Sequence, residues 1–370
     1  MKTRPYKVSL RGPYFPDIGG VSTHIDRLSL LLKSEGILNR VYSSTPDAEC
    51  GSTGYEVTDT SWGWLRYNIF KTIAWYFIYG FRDRARIIHL HEHPLWDSPV
   101  LLLMLITGKK VVYTVHDQMM LSEMHKLPGP LVSIFKRVCR NKNIRWIAVN
   151  ERIGDQLRRL APFSDNVSVI PAYLEQPNGD ESIEPQLKEF SKKHTPLLFI
   201  YAHHARRLNG EDLYGIDQAL VATSNLKKQY VQAGLLVCIP NETPENLDSY
   251  RIKTRELGIA DQVLFHLKPL KNVRKVMESS TVVLRPTLSD GDSMLVREAL
   301  EAGLKVVASD ASERPKGAIV YQKSNIDDLT KKIKTALSDD MTVPEKATEV
   351  NYYEKIRIIY DELTEGKCRD

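Results

Sequence analysis

Two tandem α/β domains, each a doubly wound parallel sheet covered by helices, are what the sequence predicts, and three observations predict them. The 370 residues exceed the size to which a single hydrophobic core usually grows. Short apolar runs alternate with amphipathic stretches, the pattern of parallel strands buried on both faces by crossover helices. Residues 173–193 are polar and acidic and carry Pro177 and Pro185 without an apolar period; they read as a linker between two such alternations.

In the first alternation, strands are expected at Tyr6 to Leu10, Leu38 to Tyr42, Ile87 to His91, Lys110 to Thr114, Trp146 to Val149 and Val167 to Ile170. In the second they are expected at Leu197 to Tyr201, Leu235 to Ile239, Val263 to Leu267, Thr281 to Leu284 and Lys305 to Ala308, with helices at Ile216 to Val231, Pro244 to Leu257, Val273 to Glu278 and Met294 to Ala302. The domains then span residues 1–174 and 175–345. Residues 346–370 hold a last amphipathic helix, with Ile356, Ile359, Tyr360 and Leu363 on one side, able to pack on either domain and expected back on the first.

Charge is divided unequally. Residues 1–174 hold 23 Lys and Arg against 15 Asp and Glu, a net +8, whereas residues 175–370 hold 28 against 31, a net −3. The basic half therefore favours an anionic surface or ligand. It also contains two aromatic and basic stretches, Trp62 to Arg86 and Met119 to Arg145, which suit an interfacial surface as well as they suit core helices with solvated faces. No nucleic-acid reader motif accompanies the charge. Cys50, Cys139, Cys238 and Cys368 stand singly, without the spacing of a structural zinc site. The apolar run Val8 to Leu10 is too short for a signal core, and no stretch approaches a membrane span. The expected location is cytoplasmic, at the inner face of the membrane if the basic half docks there.

The segment LRPTLSDGDSMLVREALEAG, Leu284 to Gly303, carries the most chemistry. A strand ends in Arg285, a loop holds Asp290, Gly291, Asp292 and Ser293, and a helix begins at Met294. Free N–H groups and the helix dipole at such a start favour a diphosphate near Ser293 and Met294, and Gly291 permits close approach of the backbone. Asp290 in the loop and Glu298 in the helix are carboxylates able to accept bonds from vicinal hydroxyls, so a sugar on one side of the diphosphate and a ribose on the other would be matched. The plainer alternative is that the acids merely cap the helix.

This segment closely resembles the donor site of retaining glycosyltransferases of family 4, whose fold, GT-B, is two Rossmann-like doubly wound domains facing across a cleft. Their signature is two glutamates separated by seven residues. Asp290 stands in place of the first, which the resemblance makes the sugar-binding acid; Glu298 matches the second, which binds the nucleotide ribose. Gly19 and Gly20, at the entrance to a helix after the first strand, are similar to the family's glycine pair bordering the donor phosphate, and their spacing is not GxGxxG. His116 ends a strand where the resemblance implies contact with the donor sugar. The sequence departs from the pattern in the second domain: Arg206 or Arg207 supplies the first expected cation, but Tyr214 precedes Gly215 where a lysine is usual. Tyrosine brings no charge, so Arg206, Arg207 or Arg285 must stabilise the leaving group.

The resemblance implies front-face transfer with retention from a nucleotide sugar, a UDP-sugar favoured, to a glycan or lipid-linked acceptor. No cofactor is expected. The triplet His89, His91 and His93 has metal-like spacing, but on a strand His89 and His91 read as sheet residues, and no metal ligand is assigned. A nucleotide-sugar epimerase of the same architecture and a non-catalytic sugar-nucleotide-binding subunit are the alternatives.

Overall fold

The computed structural model describes residues 7–16, 18–48, 56–61, 68–117, 123–161, 165–175, 182–208, 210–270, 272–338 and 350–365. It divides into two units, Met1–Glu175 with Val350–Asp370, and Gln176–Glu349.

In the first unit the strands are β1 (Val8–Gly12), β2 (Leu38–Ser43), β3 (Val57–Asp59), β4 (Ile87–Leu90), β5 (Lys110–Val115), β6 (Ile144–Ala148) and β7 (Val167–Val169). They form one sheet in the order β3-β2-β1-β4-β5-β6-β7, every pairing parallel. The helices are α1 (Gly20–Ser34), α2 (Asn68–Trp75, continued by a π-turn at Tyr76–Gly80), α3 (Pro94–Ile106), α4 (Gly129–Cys139) and α5 (Glu151–Leu160). Every residue of β1 and β4 is buried, as strands covered on both faces require.

The second unit begins with α6 (Pro185–Lys193) and β8 (Leu197–Tyr201). A small antiparallel pair, β9 (Arg207–Leu208) and β10 (Glu211–Asp212), precedes α7 (Ile216–Lys227). There follow β11 (Gly234–Cys238), α8 (Asp248–Glu256), β12 (Val263–His266), α9 (Val273–Glu278), β13 (Val282–Arg285), α10 (Met294–Glu301), β14 (Lys305–Ser309), β15 (Ile319–Tyr321) and α11 (Ile326–Leu337). The parallel sheet runs β12-β11-β8-β13-β14-β15. Counted within the unit this is 3-2-1-4-5-6, the doubly wound Rossmann order, and the first unit shows the same order with one strand more. Apolar clusters cover both faces of the second sheet: Leu198, Ile200 and Leu284 face one, Phe199, Val283 and Val306 the other.

Several expectations need correction. The linker reading fails at Pro185–Lys193, which is helix α6 with Pro185 in its first turn and Leu187 buried. Proline was read there as a breaker, yet its missing N–H costs nothing at a helix start. Strands β3 and β15, each of three residues, were too short to show a period. The expected helix from Pro244 to Leu257 is a 3-10 turn, Pro244–Leu247, followed by α8. Helix α7 stops at Lys227, short of Val231. Tyr6, Cys50, Trp62 to Tyr67, Met119 to Leu121, Pro177 and Cys368 lie outside the described residues.

The last helix, α12 (Tyr352–Glu365), places Tyr353, Ile356, Ile359, Tyr360 and Leu363 in the core of the first unit with Leu10, Leu28 and Ile87. The Tyr360 hydroxyl meets His89 Nδ1 at 2.6 Å, and His89 Nε2 meets Thr114 Oγ1 at 2.7 Å. Both nitrogens of this buried ring are thereby satisfied, which is what a neutral imidazole inside a sheet requires. Tyr360→Phe is expected to lower stability by about 1–3 kcal/mol by stranding His89 Nδ1. Ile358, which is 43% exposed, should tolerate alanine within about 0.5 kcal/mol. Urea midpoints of the two variants check this.

Candidate functional site

In a doubly wound sheet the ligand crevice lies beyond the carboxyl ends of the strands where the order reverses. In the second unit that point falls between β8 and β13, which end in Tyr201 and Arg285. The segments leaving the two strands are pressed together. Gly215, at φ 69°, precedes α7 with its α-carbon so close to Pro286 that a Cβ would lie 2.1 Å from the Pro286 carbonyl oxygen. Only glycine fits both the dihedral and the space. The Leu213 carbonyl accepts from Leu288 N and Thr287 Oγ1, both at 2.8 Å, and Ser309 Oγ donates to the Thr287 carbonyl at 2.6 Å.

On this platform Asp290 sits between two guanidinium groups. Arg285 Nε and Nη2 donate to its two oxygens at 3.0 Å each, and Arg314 Nη1 donates to Oδ2 at 2.8 Å. Arg314 is held in turn by its Nε on the Ser309 carbonyl at 2.8 Å. Burial by itself raises the Asp290 pKa, but the Arg285 and then the Arg314 ion pairs outweigh it and bring it down to about 2. Asp290 was read as free to accept vicinal hydroxyls. In the structure it already takes three N–H donors of the roughly four its lone pairs allow.

The start of α10 is capped by Ser293, whose Oγ accepts from Val296 N, and Asp292 is paired to Arg297 Nε at 2.7 and 2.9 Å. Met294 and Glu298 are buried in this helix, and Glu298 lies close enough to Tyr201 to contribute, after burial and Cys238, to raising its hydroxyl pKa. Around this helix start Arg285 and Arg314 are paired with Asp290, and Arg297 with Asp292. Tyr214 is half-buried with Arg285 over its ring at 5.4 Å, and burial first of all raises its hydroxyl pKa. Of the two arginines expected to supply a cation, Arg207 turns away, to the Gly210 carbonyl at 3.0 Å and to Asp217 at 3.6 Å. Arg206 is exposed, and its charge reaches the Tyr214 hydroxyl.

In the first unit the order reverses between β1 and β4. Gly12 ends β1 where a Cβ would lie 2.7 Å from Ile25 and 3.0 Å from the His91 Cβ. Gly19 is the N-cap of α1, its N–H donating to Ser22 Oγ at 2.8 Å, and around Gly20 there is open space. Helix α1 carries His24 against the ends of β4 and β5, where His91 and His116 stand. His91 Nδ1 and His116 Nε2 are 3.1 Å apart, and His24 Nδ1 donates to the Ala172 carbonyl at 2.6 Å. Burial holds all three rings neutral, His24 with a pKa lowered to about 4 and the other two well below the ordinary value. His93 is exposed in the N-cap of α3. Beside this group Arg11, buried, pairs with Glu92 at 2.7 Å and stacks over Trp75, so its charge is spent inside the fold.

Sequence reasoning missed Arg314, His24, Arg297 and Tyr201. Tyr201 ends β8 and Arg314 follows β14, the two neighbours of β13, so sheet order would have found them. No local motif would have paired His24 with His91.

Two parallel Rossmann-like units, each with candidate site residues at the reversal of strand order, are the make-up of the GT-B fold. The sequence matches the family described as Glycosyltransferase Family 4 over residues 18–172 and that described as Glycosyl transferases group 1 over residues 183–357. The chain belongs to these family 4, group 1 glycosyltransferases. Among solved structures it is similar to sucrose-phosphate synthase from Thermosynechococcus elongatus (15% identity, 98% of this chain and 100% of that one, TM-score 0.73). It is likewise similar to WaaG, a glycosyltransferase involved in lipopolysaccharide biosynthesis (16%, 97% and 98%, 0.64). A third similar structure is HepE from Anabaena in complex with UDP and glucose (12%, 98% and 99%, 0.68). No curated protein matches the sequence significantly.

Replacing Asp290 by asparagine takes the counter-charge from the buried Arg314 side chain and the half-buried Arg285, and breaking a buried pair costs roughly 3–5 kcal/mol. The carboxylate's contribution exists above its unfolded pKa of 3.8 and is lost as pH falls toward about 2. The Asp290→Asn variant is therefore expected to melt well below the parent at pH 7, the gap narrowing below pH 4. Thermal melts across that range check it.

Proposed function

We propose that the chain transfers a sugar from a nucleoside diphosphate sugar, a UDP-sugar by preference, to a glycan or lipid-linked acceptor with retention of anomeric configuration. The bond from the anomeric carbon to the diphosphate oxygen breaks, the acceptor oxygen bonds on the same face, and the acceptor proton passes to the leaving diphosphate. The observation that carries the donor reading is the set of cations gathered at the β8/β13 reversal beside the start of α10. Arg285 lies there under the ring of Tyr214, in the region where the family's lysine is missing. A diphosphate exchanged for Asp290 on Arg285 would meet a charge already desolvated and oriented, and such preorganised charge is the main source of leaving-group stabilisation. Arg206 is the exposed second cation. Arg207, engaged with Gly210 and Asp217, is a weaker candidate.

Glu298 is assigned to the nucleotide ribose, Asp290, released from Arg285 and still held by Arg314, to the sugar hydroxyls, and Gly291 and Ser293 to the phosphates. His116, neutral, is proposed to meet a sugar hydroxyl as a hydrogen-bond partner. No divalent metal is assigned to transfer. With purified chain, a labelled donor and an acceptor, product is expected in the presence of a chelator. Glu298→Ala is expected to weaken binding of the free nucleoside diphosphate about ten- to a hundredfold, the loss of a charge-assisted bond worth roughly 1.5–3 kcal/mol. Turnover of donor without acceptor would favour the epimerase instead.

We further propose that the first unit docks on anionic membrane. Trp75 and Tyr76 of the aromatic stretch belong to the core, but Phe70, Phe77, Ile78 and Phe81 are exposed, and Arg82, Arg84 and Arg86 beside them are exposed too. Exposed apolar and basic side chains in one stretch suit the boundary between headgroups and acyl chains. Among the described residues no helix is long and apolar enough to cross a membrane. The chain is expected to sediment with anionic vesicles at low salt and to be released in part by high salt. Phe77→Ser combined with Phe81→Ser should abolish the salt-resistant fraction; vesicle binding unchanged by that pair would place the contact elsewhere.

A further inference from the structure

We propose that His24, His91 and His116 form a three-nitrogen site for a single transition-metal ion of the zinc class, with its fourth position open. The ring centroids stand 5.2 Å apart for His24 and His91, 5.2 Å for His24 and His116, and 5.4 Å for His91 and His116. This near-equilateral triangle is the figure that tetrahedral coordination draws. With a metal–nitrogen bond of about 2.05 Å and a ring centroid about 1.15 Å beyond the nitrogen, three imidazoles on one ion lie about 5.2 Å apart. His91 Nδ1 and His116 Nε2 are 3.1 Å apart, and the candidate ligand atoms of all three rings lie within 4.8 Å of one another. Closing on an ion asks for side-chain shifts on the order of 1 Å.

Independent observations point the same way. The Ala172 carbonyl accepts from His24 Nδ1, which fixes the proton on that nitrogen and leaves the lone pair of Nε2. A carbonyl in that position is the usual outer partner of a metal-bound histidine. Among the described residues His24 Nε2 has no hydrogen-bond partner, although its side chain is 1% exposed. Such an unsatisfied buried nitrogen is costly without a ligand. His116 is the partly exposed member through which an ion would enter. Three imidazoles with no carboxylate among them select zinc, copper or nickel over magnesium or calcium. His89 is excluded from the set, since Tyr360 and Thr114 occupy both its nitrogens. Arg27 is the nearby cation that opposes an ion, and it is turned to the Leu174 carbonyl at 2.8 Å.

The site rests on this geometry and not on the transferase reading; an ion on His116 Nε2 would leave only Nδ1 of that ring for the sugar hydroxyl proposed above. The test uses the full chain, stripped with a chelator, without nucleotide or acceptor. Zn²⁺ is titrated by calorimetry and Co²⁺ by visible absorption. One ion per chain is expected, with the intense bands of four-coordinate cobalt. Loss of one ligand should cost at least what loss of an outer partner does, about 10- to 100-fold in affinity, so His24→Gln and His116→Gln should each weaken binding by that much or more, while His204→Gln in the second unit should not. If buried His24→Gln fails to fold, the partly exposed His116→Gln decides. Absence of one-to-one binding, or binding that both folded variants retain, overturns the site.

Discussion

In each unit the first strand of the sheet has its neighbours wound in opposite directions, so the connections leaving β1 and β4, or β8 and β13, depart to opposite faces and leave a gap between them. The candidate site residues of each unit gather at that gap. Because the strands are parallel, all their carboxyl ends lie on one edge, and residues remote in sequence arrive side by side: Tyr201, Arg285 and Arg314 in the second unit, His24, His91 and His116 in the first. The gap is narrow at its floor. Gly12 and Gly215 stand where any side chain would strike a neighbouring segment, so the close approach of backbones that builds each site is permitted by a single missing Cβ.

Charge is handled differently at the two reversals. In the second unit three arginines and three acids are interleaved, and the pairing of Asp290 with Arg285 and Arg314 keeps cations buried and oriented. A buried ion pair adds little to stability over an apolar replacement, but it holds charge ready in a defined place. In the first unit the histidines at the reversal are uncharged, since burial strips their protons, and Arg11 beside them is paired with Glu92. One group is thus built of paired charges, and the other of neutral nitrogens.

Much of this was legible in the sequence. Two alternations of apolar run and amphipathic stretch determined two doubly wound domains, since a strand buried on both faces must read as a continuous apolar run. The loop from Arg285 to Ser293 and the buried Glu298 were visible as a motif because strand end, loop and helix start are contiguous, and such local chemistry needs no tertiary information. Short edge strands, and a helix begun by Pro185, escaped because three residues carry no period and because proline reads alike as breaker and as helix starter.

What only the tertiary structure decided were the partners. The residues of the Leu284 to Gly303 segment name Asp290 as an acid, and nothing local indicates that Arg314, 24 positions on, closes its remaining side. The histidines at the ends of β4 and β5 are apparent as strand ends, but His24 lies on a helix in a different part of the chain and joins them only when α1 packs across the sheet. Sequence determines which chemical groups a strand end can offer, because that depends on the residue alone. Which groups meet depends on strand order, and strand order is settled by long-range packing that no single segment encodes.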